Sequence, residues 1–286
     1  MAASLARISG IFPLLLLAPL AMASQAAVAD TPDPALVTRA LAAELHSAQD
    51  ARHPMRYLLR KSSPRVTTTK EIIETRDGAV ARLVAINDRP LSPVDELKEQ
   101  ARLSGLLSDP GRQRHRKLNE DADTARALKV LRVLPQAFLF QPAGSDSGPA
   151  GKVARFTFRP NPDFDPPDLE TQVLTAMSGK IWIDVAQGRV TRLEGHLQRD
   201  VDFGWGILGR LNKGGSIVIE QADVGDHQWR ITHFQMAMTG RVLFKSRTFY
   251  TVEDETRFAP QSVGLSYAQA IQLLRSGTKA AGSSQK

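Results

Sequence analysis

From about Ala137 to Val252 the chain offers one short alternating segment after another, and this pattern leaves few folds open. Segments near Phe138–Gln141, Val153–Arg159, Lys180–Val185, Val190–Gln198, Ser216–Ala222, Trp229–Met238 and Val242–Val252 carry apolar or aromatic residues at alternate positions. A period of two marks a strand with one buried face, and strands recurring at this spacing predict an antiparallel meander. Gly188 and Gly240 stand where hairpins would turn. Ser145–Gly151, rich in Gly and Ser, and Asn161–Asp168, rich in Pro and Asp, read as loops that interrupt it.

The region before the meander mixes helix and strand signals. Leu36, Val37, Ala40, Leu41 and Leu45 share one face of a helix expected over Ala35–Asp50. Strands are expected at Tyr57–Arg60 and Val66–Glu74, then a turn at Asp77-Gly78 and a return strand over Ala79–Asn87. Ser92-Pro93 with Asp95 reads as a capped helix start, and that helix should end at Asp109-Pro110-Gly111. A further helix is expected over Asp121–Leu134, stopped by Pro135. Between these two helices the basic run Gly111–Lys117 reads as a solvated linker or, through Arg112, Arg114, Arg116 and Lys117, as a membrane or partner contact.

The first residues divide into a positive start at Arg7, an apolar run over Ile11–Leu20, and small-residue cleavage sites at Ala21-Met22-Ala23 and Ala27-Val28-Ala29. This is the pattern of a secretory signal peptide, cleaved near Ala29, because Pro13 and Pro19 interrupt a run too short to span a bilayer. The chain is therefore expected to work outside the cytoplasm, most naturally in a periplasm. It contains no cysteine, which removes a lipidated cysteine anchor, disulfides and thiolate metal sites. Residues 30–277 suffice for one α+β domain built on a large curved antiparallel sheet, and 278–286 read as a disordered tail. With 37 basic and 30 acidic residues the net charge is +7, which suits an anionic partner; export argues against nucleic acid.

No pattern of catalysis emerges. Gly144-Ser145-Asp146-Ser147-Gly148 places Asp where a nucleophile would sit. The six histidines form no ligand pair, and Asp163, Asp165 and Asp168 lack the glycine and terminal Glu of a calcium loop. No cofactor or metal is expected, and an enzyme would need residues dispersed in sequence. The apolar patterning says more. Phe156 and Phe158, Ile181 and Ile183, and Phe234, Met236 and Met238 each share a strand face, and such a face must be covered by helices or by ligand. These seven are the candidate lining of an apolar binding site. Phe203-Gly204-Trp205-Gly206-Ile207-Leu208-Gly209 adds Trp205, Ile207 and Leu208 as candidate membrane or partner contacts.

Gly179-Lys180-Ile181-Trp182-Ile183-Asp184, followed by Gly188-Arg189-Val190-Thr191-Arg192-Leu193-Glu194, resembles segments of periplasmic lipoprotein carriers of the LolA/LolB-like fold. The order of leader, amphipathic helix, strands, helical pair and meander is similar as well. The resemblance implies a half-barrel with helices covering its concave face, and lipid or lipoprotein acyl chains as cargo. This chain departs from the pattern in its length, in the basic run at Arg112–Lys117 and in the loop at Asn161–Asp168. The first reading is a soluble non-enzymatic carrier of apolar cargo; the alternative is a non-enzymatic envelope sensor that contacts a protein partner through the same fold, and a secreted hydrolase with dispersed catalytic residues ranks third.

Overall fold

Thirteen antiparallel strands among the described residues join in one sheet that is not closed into a barrel. The computed structural model describes residues 31–50, 52–148, 151–203, 209–242 and 245–282. The expected signal peptide and the candidate contacts Trp205, Ile207 and Leu208 lie outside the described residues. Helix α1 (Ala35–Gln49) leads into β1 (Met55–Ser62), β2 (Thr67–Ile73), β3 (Val80–Ile86) and the two-residue β4 (Arg89–Pro90). Helices α2 (Pro93–Leu107) and α3 (Pro110–Ala137) follow. The rest is β5 (Phe138–Gly148), β6 (Gly151–Pro160), a 3₁₀ turn at Thr171–Ala176, β7 (Met177–Asp184), β8 (Arg189–Leu197), β9 (Val201–Phe203) and β10 (Gly209–Leu211). Then come β11 (Ser216–Asp223), β12 (Trp229–Val242), β13 (Lys245–Pro260) and α4 (Tyr267–Gly282).

The strand order is β4-β3-β2-β1-β13-β12-β11-β8-β7-β6-β5, with β9 and β10 joined to the end of β12. Strand β13 thus sews the early hairpins to the meander. The architecture is α+β, an open curved antiparallel sheet carrying helices, as expected. Asp77-Gly78 turns with Gly78 at φ +107° and Gly188 with φ +62°, conformations that favour glycine. Ser92 caps α2 by accepting from the Asp95 backbone N–H, with Pro93 in the first turn.

Four local expectations are corrected. The basic run is helical, because Asp109 accepts from the Arg112 N–H and Pro110 occupies the first turn. The same Asp-Pro pair that stops α2 therefore starts α3. Pro135 does not stop α3, which continues to Ala137. The Ser145–Gly148 stretch extends β5, held by Asp146, which accepts from Arg155 and from the Trp182 indole N–H. Gly240 lies inside β12, paired with Arg247 and Leu211, and turns no hairpin.

Two clusters of buried side chains hold the sheet. Leu36, Val37, Ala40 and Leu41 of α1 and Leu134 and Ala137 of α3 bury Phe156, Phe158, Ile181, Ile183 and Val190. At the other end Leu103 and Leu106 of α2 and Ala270, Ile271 and Leu274 of α4 bury Ile73 and Val80. Ile73 pairs with Val80, whereas its neighbour Ile72 pairs with Tyr57. Successive residues of a strand face opposite ways, so α2 and α4 grip the face opposite to Tyr57. Helix α4 extends to Gly282, beyond the point where the sequence pattern ends in a polar tail.

Candidate functional site

One rung of the sheet can be followed across six strands. Phe156 pairs with Ile181, Ile181 with Leu193, Leu193 with Ile219, Ile219 with Phe234, and Phe234 with Glu253. Directly paired residues share a face, so all six point to the side covered by α1 and α3. Burial falls along the rung. Phe156 is 0% exposed and Ile181 1%, while Leu193, Ile219, Phe234 and Glu253 are only half-buried. A second rung, from Phe158 through Gly179, Gly195, Ile217 and Met236 to Thr251, behaves alike. In it Phe158 is 4% exposed and Met236 half-buried.

Helix α3 explains the gradient. Its early part rests on the β2–β3 turn, where Glu120 accepts from the Ala79 N–H at 3.0 Å and Arg116 donates to the Ala79 carbonyl. Its last two turns pack Val130, Leu131, Val133 and Leu134 into the core beside β5 and β6. Those anchors lie toward opposite edges of the strand order, and 28 residues of helix span about 42 Å. The helix therefore crosses the concave side as a chord. Residues Asp121 to Ala127 are all exposed, two turns with no side packed against the sheet. On β11, β12, β13 and β1 the same face is mostly half-buried, and we call this stretch the trough.

The trough has two walls of different character. Ile217, Ile219, Phe234, Met236 and Met238 make the apolar wall on β11 and β12. Toward β1 the wall is acidic. Glu255 pairs with Leu59 and Glu253 with Lys61, which is ion-paired to it. Burial, then the nearby Glu74 and Glu253 carboxylates, push the Glu255 carboxyl up to about 7, with Arg230 opposing. Burial also pushes the Tyr57 phenol above its usual range, helped by Glu255 and Glu74.

The candidate residues therefore divide. Phe156, Phe158, Ile181 and Ile183 are core side chains packed by α1 and α3, whereas Phe234 and Met236 are half-buried along the trough and Met238, also half-buried, packs against the edge of the core. Arg112 pairs with Asp109 and Lys117 with Asp121, so half of the basic run on α3 is neutralised locally, while Arg114 is exposed. His227 and His233 do not meet: His233 binds Asp254 at 2.8 Å, and His227 lies in the turn before β12. Asp184 and Glu194 do not face each other, since Asp184 pairs with Arg189 and Glu194 with Lys180.

Sequence patterning misses Glu44, on the buried face of α1. It accepts from Arg189 through both oxygens at 2.9 Å and from the Val190 N–H, tying α1 to β8. A carboxylate that continues the helical spacing of Val37, Ala40 and Leu41 is the signal that would reveal it. A separate cleft of ≈ 240 Å³ at the end of α1 is lined by His46, Asp50, His53, Arg189, Trp229 and Arg230. Its rim is charged and its arginines are engaged, Arg189 by Glu44 and Arg230 by Glu74. Among the described residues no cluster of three or more His, Asp or Glu is placed to hold a metal ion. No helix among them is long and apolar enough to cross a membrane.

No protein-family model matches this chain, and no curated protein matches it. Solved structures of similar layout include a domain described as an outer membrane lipoprotein-sorting protein from Vibrio parahaemolyticus, at 13% identity and a TM-score of 0.32, covering 82% of this chain and 97% of that one. A DUF1329 family protein from Desulfovibrio piger aligns at 14% identity and a TM-score of 0.31, over 84% of this chain and 98% of its own. MucB in complex with MucA aligns at 10% identity and a TM-score of 0.22, over 80% and 98%.

Proposed function

We propose that this chain is an exported, non-enzymatic carrier of apolar cargo, holding a lipid or lipoprotein acyl chain in the trough beneath α3. The observation that carries the reading is the burial gradient along one apolar rung. The same face that is sealed at Phe156 and Ile181 is half-open at Ile219, Phe234 and Met236. Apolar side chains left half-covered in a concave face are the usual lining of a ligand site. Methionine adds polarisable, unbranched surface that adapts to flexible chains. The leader pattern and the absence of cysteine support a periplasmic carrier with no lipid anchor of its own.

Native mass spectrometry of the processed chain, purified without detergent from its own envelope fraction, tests this. The expected result is bound lipid, with competitive loss of a fluorescent fatty acid from the same site. Consistently empty protein that also ignores the fatty acid would refute it.

A further inference from the structure

The apolar wall of the trough does not stop at Met238. Met238 pairs with Phe249, and two residues further along β12 Gly240 pairs with Leu211 and Val242 with Gly209. Gly209 pairs in turn with Phe203. Alternation keeps Met238, Phe249, Leu211, Phe203 and Val242 on the trough side. They run out to the far end of β12 and β13, where Phe249 is 37% and Val242 47% exposed. Phe203, Leu211, Val242 and Phe249 there line an apolar cleft of ≈ 210 Å³.

Basic residues ring this end. Arg241, Lys245 and Arg247 are all exposed and form no ion pair with any described residue, in contrast to Arg210, which Asp202 and Asp200 hold. Lys245 and Arg247 share the apolar side, since Val242 pairs with Lys245 and Gly240 with Arg247. An apolar patch within a rim of uncompensated cations is complementary to a bilayer bearing anionic headgroups: the cations meet phosphate while the aromatic and aliphatic groups enter the interface. A protein partner of ordinary acidity would satisfy the cations but leave no reason for apolar surface that continues into the trough.

We infer that the β9–β10 and β12–β13 end of the sheet is a docking surface for anionic phospholipid bilayers, placing the mouth of the apolar trough against the membrane. The inference stands on the patch and its charge, and it holds or fails independently of whether the trough carries an acyl chain.

The test is flotation of the processed chain with vesicles of phosphatidylcholine alone and with phosphatidylglycerol added. The expected result is flotation only with the anionic vesicles, weakening as salt rises. The combined variant R241E/K245E/R247E should lose apparent affinity by on the order of a hundredfold. The chain has no cysteine, so a fluorophore on Val242→Cys, an exposed position on the apolar side, reports the same contact in an otherwise unaltered protein. Its emission should shift to the blue on anionic vesicles. Absence of flotation, flotation unchanged by charge reversal, or an unshifted fluorophore would overturn the inference. So would a dimer in sedimentation that Phe249→Ser dissolves, which would give the patch to a second copy of the chain.

Discussion

Two regions of one sheet carry nearly the same apolar pattern and do different things with it. Across β6 and β7, Phe156, Phe158, Ile181 and Ile183 are sealed by α1 and the end of α3. Across β11 and β12, Ile217, Ile219, Phe234 and Met236 occupy the same rungs and face the same way, yet are only half-buried, Ile217 at the edge of the same core. An alternating strand declares which side is apolar; it does not declare what covers that side. Coverage is decided by the length of α3 and by where its ends are pinned, both set by residues far from the strands.

The contrast can be broken at its filled end first. Phe156→Ala leaves a cavity in a packed core and should cost about 3–5 kcal/mol by urea denaturation. Phe234→Ala, the same deletion on the same rung, should cost about 1 kcal/mol, because a half-buried side chain loses less apolar surface. Equal costs would mean that the trough is closed in solution. Next comes Glu44→Ala, which strands the half-buried Arg189 guanidinium and the buried Val190 N–H and should destabilise by about 3 kcal/mol. The loss should appear chiefly as weakened protection of α1 and β8 in hydrogen exchange.

The acidic wall supplies a smaller, pH-dependent effect. Glu255 has its carboxyl raised to about 7 from an ordinary 4.5, so between those values the folded state binds more protons than the unfolded chain. Stability must then fall as pH rises through that window, by on the order of 3 kcal/mol at most. Glu255→Gln should flatten the decline in melting curves taken across pH 4.5 to 7; an unchanged slope would assign the effect elsewhere. The smallest effect is expected at the α2–α4 end. The Tyr267 hydroxyl is buried there without a hydrogen-bond partner among the described residues, so Tyr267→Phe should be neutral or slightly stabilising in the same melts.

Much of this fold is legible in the residues, and the failures have physical causes. Strands β6 to β8 and β11 to β13, the Gly78 and Gly188 turns and the Ser92 cap are local events, decided by alternation, φ and one side-chain oxygen. Asp109-Pro110 misleads because the same pair ends one helix and begins the next: proline suits a first turn as well as it punctuates a last one. Helix α4 is written in Ser266, which exchanges hydrogen bonds with Gln269 as a capping box, and in Tyr267, Ala270, Ile271 and Leu274 at helical spacing. That signal is short and adjoins a polar tail, which masks it. For the site, alternation selects the correct face but cannot separate Phe156 from Phe234, because their difference lies in a helix that passes over one and seals the other.

The division between a filled end and an open middle is tested most directly by methyl nuclear magnetic resonance during titration with a long-chain fatty acid. The signals of Ile217, Ile219, Met236 and Met238 should shift, while those of Ile181 and Ile183 stay in place. Shifts at Ile181 and Ile183, or no shift at any of the six, would contradict the account.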